Sequence, residues 1–153
     1  MTAINVTVIG NLARDPELRY TPTGAAVASF TVASSERYRD NSGEWHDGPT
    51  SWVRCNAWRD LAEHVAETLG KGDRVIVTGK IAQRDYEITA PGGKGAPEKR
   101  TTWEVRADDV GPSLRSATAK IAKTRRNGVP LPEDPWRDVP AHDASEQEGE
   151  PPF

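Results

Sequence analysis

Apolar and polar side chains alternate along five stretches of this chain, and between the third and fourth the repeat changes to helical spacing. Residues 4 to 9, Ile-Asn-Val-Thr-Val-Ile, read as a first strand that Gly10 and Asn11 break. Pro16, Pro22 and Gly24 mark an irregular crossing to a second strand, whose inward face is Ala26, Ala28, Phe30 and Val32. Residues 36 to 51 predict a long hairpin arm with Asn41-Ser42-Gly43 near its tip, and residues 52 to 58 a third strand. Asp60 is the expected N-cap of a helix, with Glu63 completing a capping box, Leu61, Val65 and Leu69 on one stripe, and Gly70 as the stop. From Arg74 to Ile81 the chain alternates again, with Val75 and Val77 on one side, and the strand runs on through Arg84 and Tyr86. A second arm follows, flexible over Ala90 to Gly95 with its Pro91 and three glycines. A fifth strand, Thr101 to Ala107, sets Trp103 and Val105 on one face, and Trp103 reads as core or subunit interface.

Three strands, one helix and two strands, with long arms on strands that must bend sharply, is the order of an all-β OB-fold: a five-stranded Greek-key barrel with a helix between strands 3 and 4. Within it the third strand divides into chemically opposite faces. Val53, Cys55 and Ala57 form the small apolar face; Trp52, Arg54, Asn56 and Trp58 form the other. If the small face meets the core, two indoles, a guanidinium and an amide stand side by side outside, a costly row to expose without use. Such a row suits unpaired bases, since every base offers a π-face and every phosphate a charge. The competing reading packs one or both indoles under a neighbouring strand, and parity does not decide between them.

Composition divides the chain. Of the 153 residues, 1 to 126 hold 19 Lys and Arg against 16 Asp and Glu, a net +3, whereas 127 to 153 hold one Arg against seven acids, a net −6. That last segment also holds six of the twelve prolines and few apolar side chains, the composition of a disordered tail. A single cysteine, Cys55, excludes an intrachain disulfide and reads as a small buried hydrophobe. No apolar run approaches the roughly 20 residues of a membrane span and no leader pattern opens the chain, so the expected location is cytoplasmic.

Catalytic signatures are missing: there is no Cys-x-x-Cys, His-Glu-x-x-His or Gly-x-Ser-x-Gly, and Gly92-Gly93-Lys94 lacks the spacing of a phosphate loop. His46, His64 and His142 are scattered, and Asp108-Asp109 reads as a solvated strand end rather than a two-metal site. The expectation is no enzyme, no metal and no cofactor. Cations beside rings recur instead: Arg37-Tyr38-Arg39 on the first arm, Arg54 among the indoles, and Lys80, Arg84 and Tyr86 along one strand face. Together they point to nucleic acid. A net charge of only +3 on the folded part leaves stacking to carry much of the affinity, and bases inside a duplex are closed to those rings, which favours single strands.

From Val8 to Asp40 the string VIGNLARDPELRYTPTGAAVASFTVASSERYRD resembles the first two strands of the bacterial single-stranded DNA-binding proteins. So does TSWVRCNAWRDLAE from Thr50 to Glu63, followed by Gly70-Lys71-Gly72; the likeness covers about residues 3 to 110 and the C-terminus. The resemblance implies base stacking by Tyr38, Trp52, Trp58 and Tyr86, with tyrosine at two places where tryptophan is often found. It adds Arg19 to the expected phosphate contacts Arg37, Arg39, Arg54, Lys80 and Arg84. It also implies a homotetramer that binds single-stranded DNA without sequence preference during replication, recombination and repair, on the nucleoid. The family's tail ends in acids and a hydrophobic tip that docks on replication and repair enzymes; here Glu148, Glu150, Pro151, Pro152 and Phe153 would do so, in a pocket rimmed by Lys and Arg. The short spacer, Trp136 and the interruption at Gly149 depart from that pattern and fit a short-tailed paralogue.

The expected organisation is a binding domain over 1–110, a basic extension over 111–126 and an acidic tail over 127–153. That extension, with Arg115, Lys120, Lys123, Arg125 and Arg126, resembles a segment that clamps neighbouring subunits in some branches of the family, and it equally suits phosphate. The rival functions are a primosome- or RNA-directed OB-fold protein, and an OB-fold protein-interaction adaptor.

Overall fold

The computed structural model describes residues 3–88 and 96–124. The described residues up to 119 form one compact unit; 120–124 belong to a second and carry no regular secondary structure. The chain runs β1 (Ile4–Leu12), β2 (Glu17–Tyr20), β3 (Ala26–Arg39), β4 (Trp45–Trp58), α1 (Asp60–Thr68), β5 (Arg74–Ile88) and β6 (Glu98–Pro112). The strands lie in the order β1-β5-β6-β4-β3-β2, and β1 also pairs with β3 at Asn11 and Leu12, which closes the sheet into an OB barrel. All pairings are antiparallel except β4 with β6.

The barrel core follows from alternation. Ala26, Ala28, Phe30 and Val32 of β3, Cys55 and Ala57 of β4, Val75 and Val77 of β5, and Val105 of β6 are all buried, with Ala62 and Val65 of α1 and Leu69 just beyond it against them. Sharp strand curvature needs close backbone approach, and two glycines supply it. A Cβ on Gly10 would lie 2.3 Å from the Ala33 carbonyl oxygen, and one on Gly79 would lie 2.1 Å from that of Arg106. At Gly79 the register of β5 against β6 also shifts, leaving Asp108 as the extra residue of a bulge.

Both arms are continuations of barrel strands rather than separate loops. β3 and β4 stay paired out to Arg39 and Trp45, so the third strand begins at Trp45 rather than at 52. Its turn lies where Asn41-Ser42-Gly43 was expected, with Gly43 at φ 89° and the Asp40 carboxylate accepting from the Ser42 and Glu44 amides. Between Ser35 and Arg37 the single residue Glu36 opposes Gly48 and Pro49, a bulge at the foot of the arm. β5 and β6 pair out to Ile88 and Glu98, beyond the expected limits of the fifth strand.

Three further expectations are corrected. The crossing between the first two strands contains a short extra strand, β2, whose Glu17–Tyr20 pairs with Ser29–Ala26. Asp60 is the first helical residue, not the N-cap; the cap is Arg59, which makes no side-chain capping bond. The helix stops because Leu69 turns to extended backbone and the Gly70 amide donates to Asp73 Oδ2 at 2.8 Å. Of the two places expected for Trp103, the core is excluded and the subunit interface stands: 54% of it is exposed, because it lies on β6 beyond the point where Val105 is the last side chain sealed inside.

Candidate nucleic-acid interface

β4 presents the divided strand expected of it. Cys55 and Ala57 are fully buried on one face, while on the other Trp52 is 66% and Trp58 45% exposed. Register extends this face sideways: Arg54 stands opposite Glu104 of β6, Asn56 opposite Arg106, and Lys80 of β5 opposite Arg106 in turn. Alternation along β5 carries Ala82, Arg84 and Tyr86 onto the same outer side.

At its centre lies a carboxylate that composition and motif did not single out. Glu104 is only 12% exposed in its side chain, accepts a 2.8 Å hydrogen bond from Asn56 Nδ2, and has Arg54 at 3.7 Å and Arg84 at 3.8 Å. Asn56 in turn accepts from the Ser29 hydroxyl at 2.9 Å. One acid thus tethers cations from β4 and β5, at ion-pair distances too long to be hydrogen bonds, so their N–H forks keep their donors for another acceptor. Arg14, Arg19, Arg54 and Arg84 line one groove of about 320 Å³, with Asp15, Glu17 and Glu104 between them.

The other predicted cations are also engaged within the chain. Arg19 pairs with Glu17, Arg37 with Asp47 at 3.0 Å and Lys80 with Asp108 at 3.4 Å, while Arg39 Nε donates to the Gly43 carbonyl at 2.8 Å. All of these pairs are well exposed, so each adds little stability.

The four expected rings do not form one cluster. Trp52 and Trp58 share the β4 face, Tyr86 is exposed on the β5–β6 arm, and Tyr38 is exposed on the β3–β4 arm. Alternation along β3 sets Tyr38 on the opposite face of that arm from Arg37 and Arg39, and there it stacks on His46 with ring centroids 5.6 Å apart. Trp45, 62% exposed and opposite Arg39, is a further ring at the arm's end. The expected docking tip at Glu148, Glu150, Pro151, Pro152 and Phe153, and Arg125 and Arg126 of the basic extension, lie outside the described residues.

Comparison with known proteins matches residues 4–113 to the model of the single-strand binding protein family. The chain belongs to that family. A single-stranded DNA-binding protein of Mycolicibacterium smegmatis is 50% identical over 97% of this chain and 96% of its own length. That of Mycobacterium leprae is 56% identical over 80% of this chain and 70% of the relative. The crystal structure of a small single-stranded DNA-binding protein from Streptomyces coelicolor superposes with a TM-score of 0.61 at 29% identity, covering 74% of this chain and 97% of that one.

Within this family member, two titrating groups depart from their ordinary values. The Asp40 carboxyl is held down to about 2, first by the Ser42 hydroxyl and then by His46, whose Nε2 lies 2.7 Å away, and by the Glu44 amide. Burial alone pushes the Cys55 thiol up to about 12, as expected of a small core residue. Asp40, Glu44 and His46 stand close enough to share a cation, but the Asp40 oxygens are already occupied by the turn they close.

Proposed function

We propose that this chain binds single-stranded DNA without sequence preference, shielding it during replication, recombination and repair, and that it does so by stacking more than by charge. The observation that carries this is the β4 face: two exposed indoles with Arg54 between them, backed by fully buried Cys55 and Ala57. Trp52, Trp58, Tyr38 and Tyr86 are the stacking rings, at roughly 1 to 3 kcal/mol per base. Arg19, Arg37, Arg39 and Lys80 take the phosphates by exchanging their present partners for them, and Arg54 and Arg84 take them with the donors that Glu104 leaves free. As a member of this family the protein is a binder rather than an enzyme.

A homotetramer is the form in which we expect it to act. The Ile4–Gly10 edge of β1 supports this, because among the described residues it is paired on its β5 side only, and an open strand edge invites a second chain. We assign the tail over 127–153, through its Glu148-to-Phe153 tip, to replication and repair enzymes, and residues 111–126 to holding subunits together. Among the described residues no helix is long and apolar enough to cross a membrane, and we place the protein in the cytoplasm on the nucleoid.

The test is intrinsic tryptophan fluorescence during titration with oligo-dT and with a duplex of the same length, at low and high salt. Strong quenching by the single strand, little by the duplex and a modest loss with salt is the expected result. An equal response to both that collapses with salt would overturn stacking as the main term.

A further inference from the structure

A second depression on the same face contains two cations that none of the preceding assignments uses. It has a volume of about 460 Å³ and is lined by Trp58, Arg59, Leu61, Arg106, Ala107 and Asp108. That lies inside the range of roughly 300 to 1,000 Å³ typical of small-molecule pockets. Its wall is an indole with one side open to solvent, and its floor is apolar at Leu61 and Ala107.

Arg59 and Arg106 differ from the six sequence-predicted cations. Both are exposed, and among the described residues neither side chain has an ion pair or a hydrogen bond. The one acid in the lining, Asp108, is already paired with Lys80 at 3.4 Å. Two unspent guanidiniums therefore flank one half-covered indole.

Arg59 is also the only non-glycine residue with positive φ among those described, at φ 59° and ψ −133°. Glycine is the residue that adopts this conformation readily, so an arginine here is held against its backbone preference. It makes no side-chain cap for α1 that would repay it. It joins Trp58 to the first residue of α1, and it lines the pocket.

We propose that Trp58, Arg59 and Arg106 form a single-nucleotide subsite, in which the base lies against the Trp58 indole inside the pocket and the adjoining phosphate is held by Arg59 and Arg106. This rests on the reading of the chain as a single-stranded DNA binder and adds to it two phosphate contacts and a place for one base. Because these cations have no carboxylate to surrender, each contributes its full counterion release on binding.

The test uses full-length protein and a fluorescently labelled oligo-dT, with anisotropy titrations across a salt series and urea unfolding in parallel. The variants are Arg59→Gly, Arg106→Gln and the double variant. Loss of one single-strand phosphate contact lowers the slope of log affinity against log salt by about 0.7, which is about a fivefold weakening at 0.1 M salt that fades toward 1 M. Each single variant is expected to show that change, and the double variant twice the change in slope. Arg59→Gly is expected to keep or raise the urea midpoint, since glycine accepts the backbone that arginine strains, so weaker binding would not trace to lost folding. Unchanged slopes in both single variants, with wild-type binding intact, would overturn the subsite alone. Failure of the wild-type protein to bind oligo-dT would overturn the underlying reading, and the subsite with it.

Discussion

Replacing Trp52 and Trp58 with alanine, singly and together, tests whether β4 presents a stacking surface or a displaced piece of core. Trp52 is 66% exposed, so Trp52→Ala should leave the unfolding free energy from urea titration within about 0.5 kcal/mol of wild type. Trp58 is 45% exposed, and its covered half should cost about 1 kcal/mol. Phe30, 2% exposed, gives the scale of a true core loss, at about 3 to 5 kcal/mol for Phe30→Ala. Binding should respond the other way round. Each indole removed should cost about 1 to 3 kcal/mol of affinity for oligo-dT, roughly 5- to 150-fold. The two residues are six positions apart on one strand, about 20 Å at roughly 3.3 Å per residue. Sites beyond about 10 Å act independently, so the double variant should show the sum within about 0.5 kcal/mol, one base per indole. Labelled-oligonucleotide anisotropy gives the affinities. The reasoning fails if either single change destabilises the fold on the Phe30 scale with affinity unaltered, or if the second removal costs nothing after the first.

Further outcomes are expected elsewhere in the chain. With the Cys55 thiol pushed up to about 12 by burial, a thiol reagent at pH 8 should leave the native protein unmodified and react fully in urea; fast native labelling would contradict the burial. Asp40 is depressed to about 2 from 3.8, so its contribution to the arm's turn is present above 3.8 and lost as pH falls through about 2. Carboxyl NMR should find that midpoint and see it rise in Ser42→Ala, and a wild-type midpoint near 3.8 would refute the turn's hydrogen bonding. Deleting Phe153 should spare oligo-dT affinity and abolish capture of replication and repair enzymes; retention of the same partners would remove the tip from the proposal.

Much of the barrel was legible because its strands each have one sealed face, and a face sealed on one side prints a period of two into the sequence. Phe30 and Val32, or Val75 and Val77, could hardly be read otherwise. β2 escaped because four residues framed by Pro16 and Pro22 carry too short a pattern to register. The helix cap was misread because Asp60 has the right chemistry one residue too late, and nothing local in Arg59 announces a positive φ. At the candidate site the indoles were visible from composition and parity. The partners of the cations were not, because Glu104 meets Arg54 and Arg84 only through the parallel register of β4 with β6 and the antiparallel register of β5. Arg106 carries no such signal, because it lies on the face of β6 turned away from Trp103 and Val105 and no ring stands beside it in the sequence.

The one-to-one pairing of Arg37 and Lys80 with carboxylates of the same chain has a consequence for how salt would act on binding to DNA. A phosphate that took one of these cations would shed a condensed counterion, while the abandoned carboxylate would draw cations of its own from solution. The two halves of that ion exchange oppose each other. Binding through such pairs should therefore register fewer ions than it makes phosphate contacts, and a count of contacts from the salt slope would come out low. The exposed pairs of Arg37 and Lys80 are each locally neutral toward a passing duplex, and would release their charge only to a strand already held by its bases.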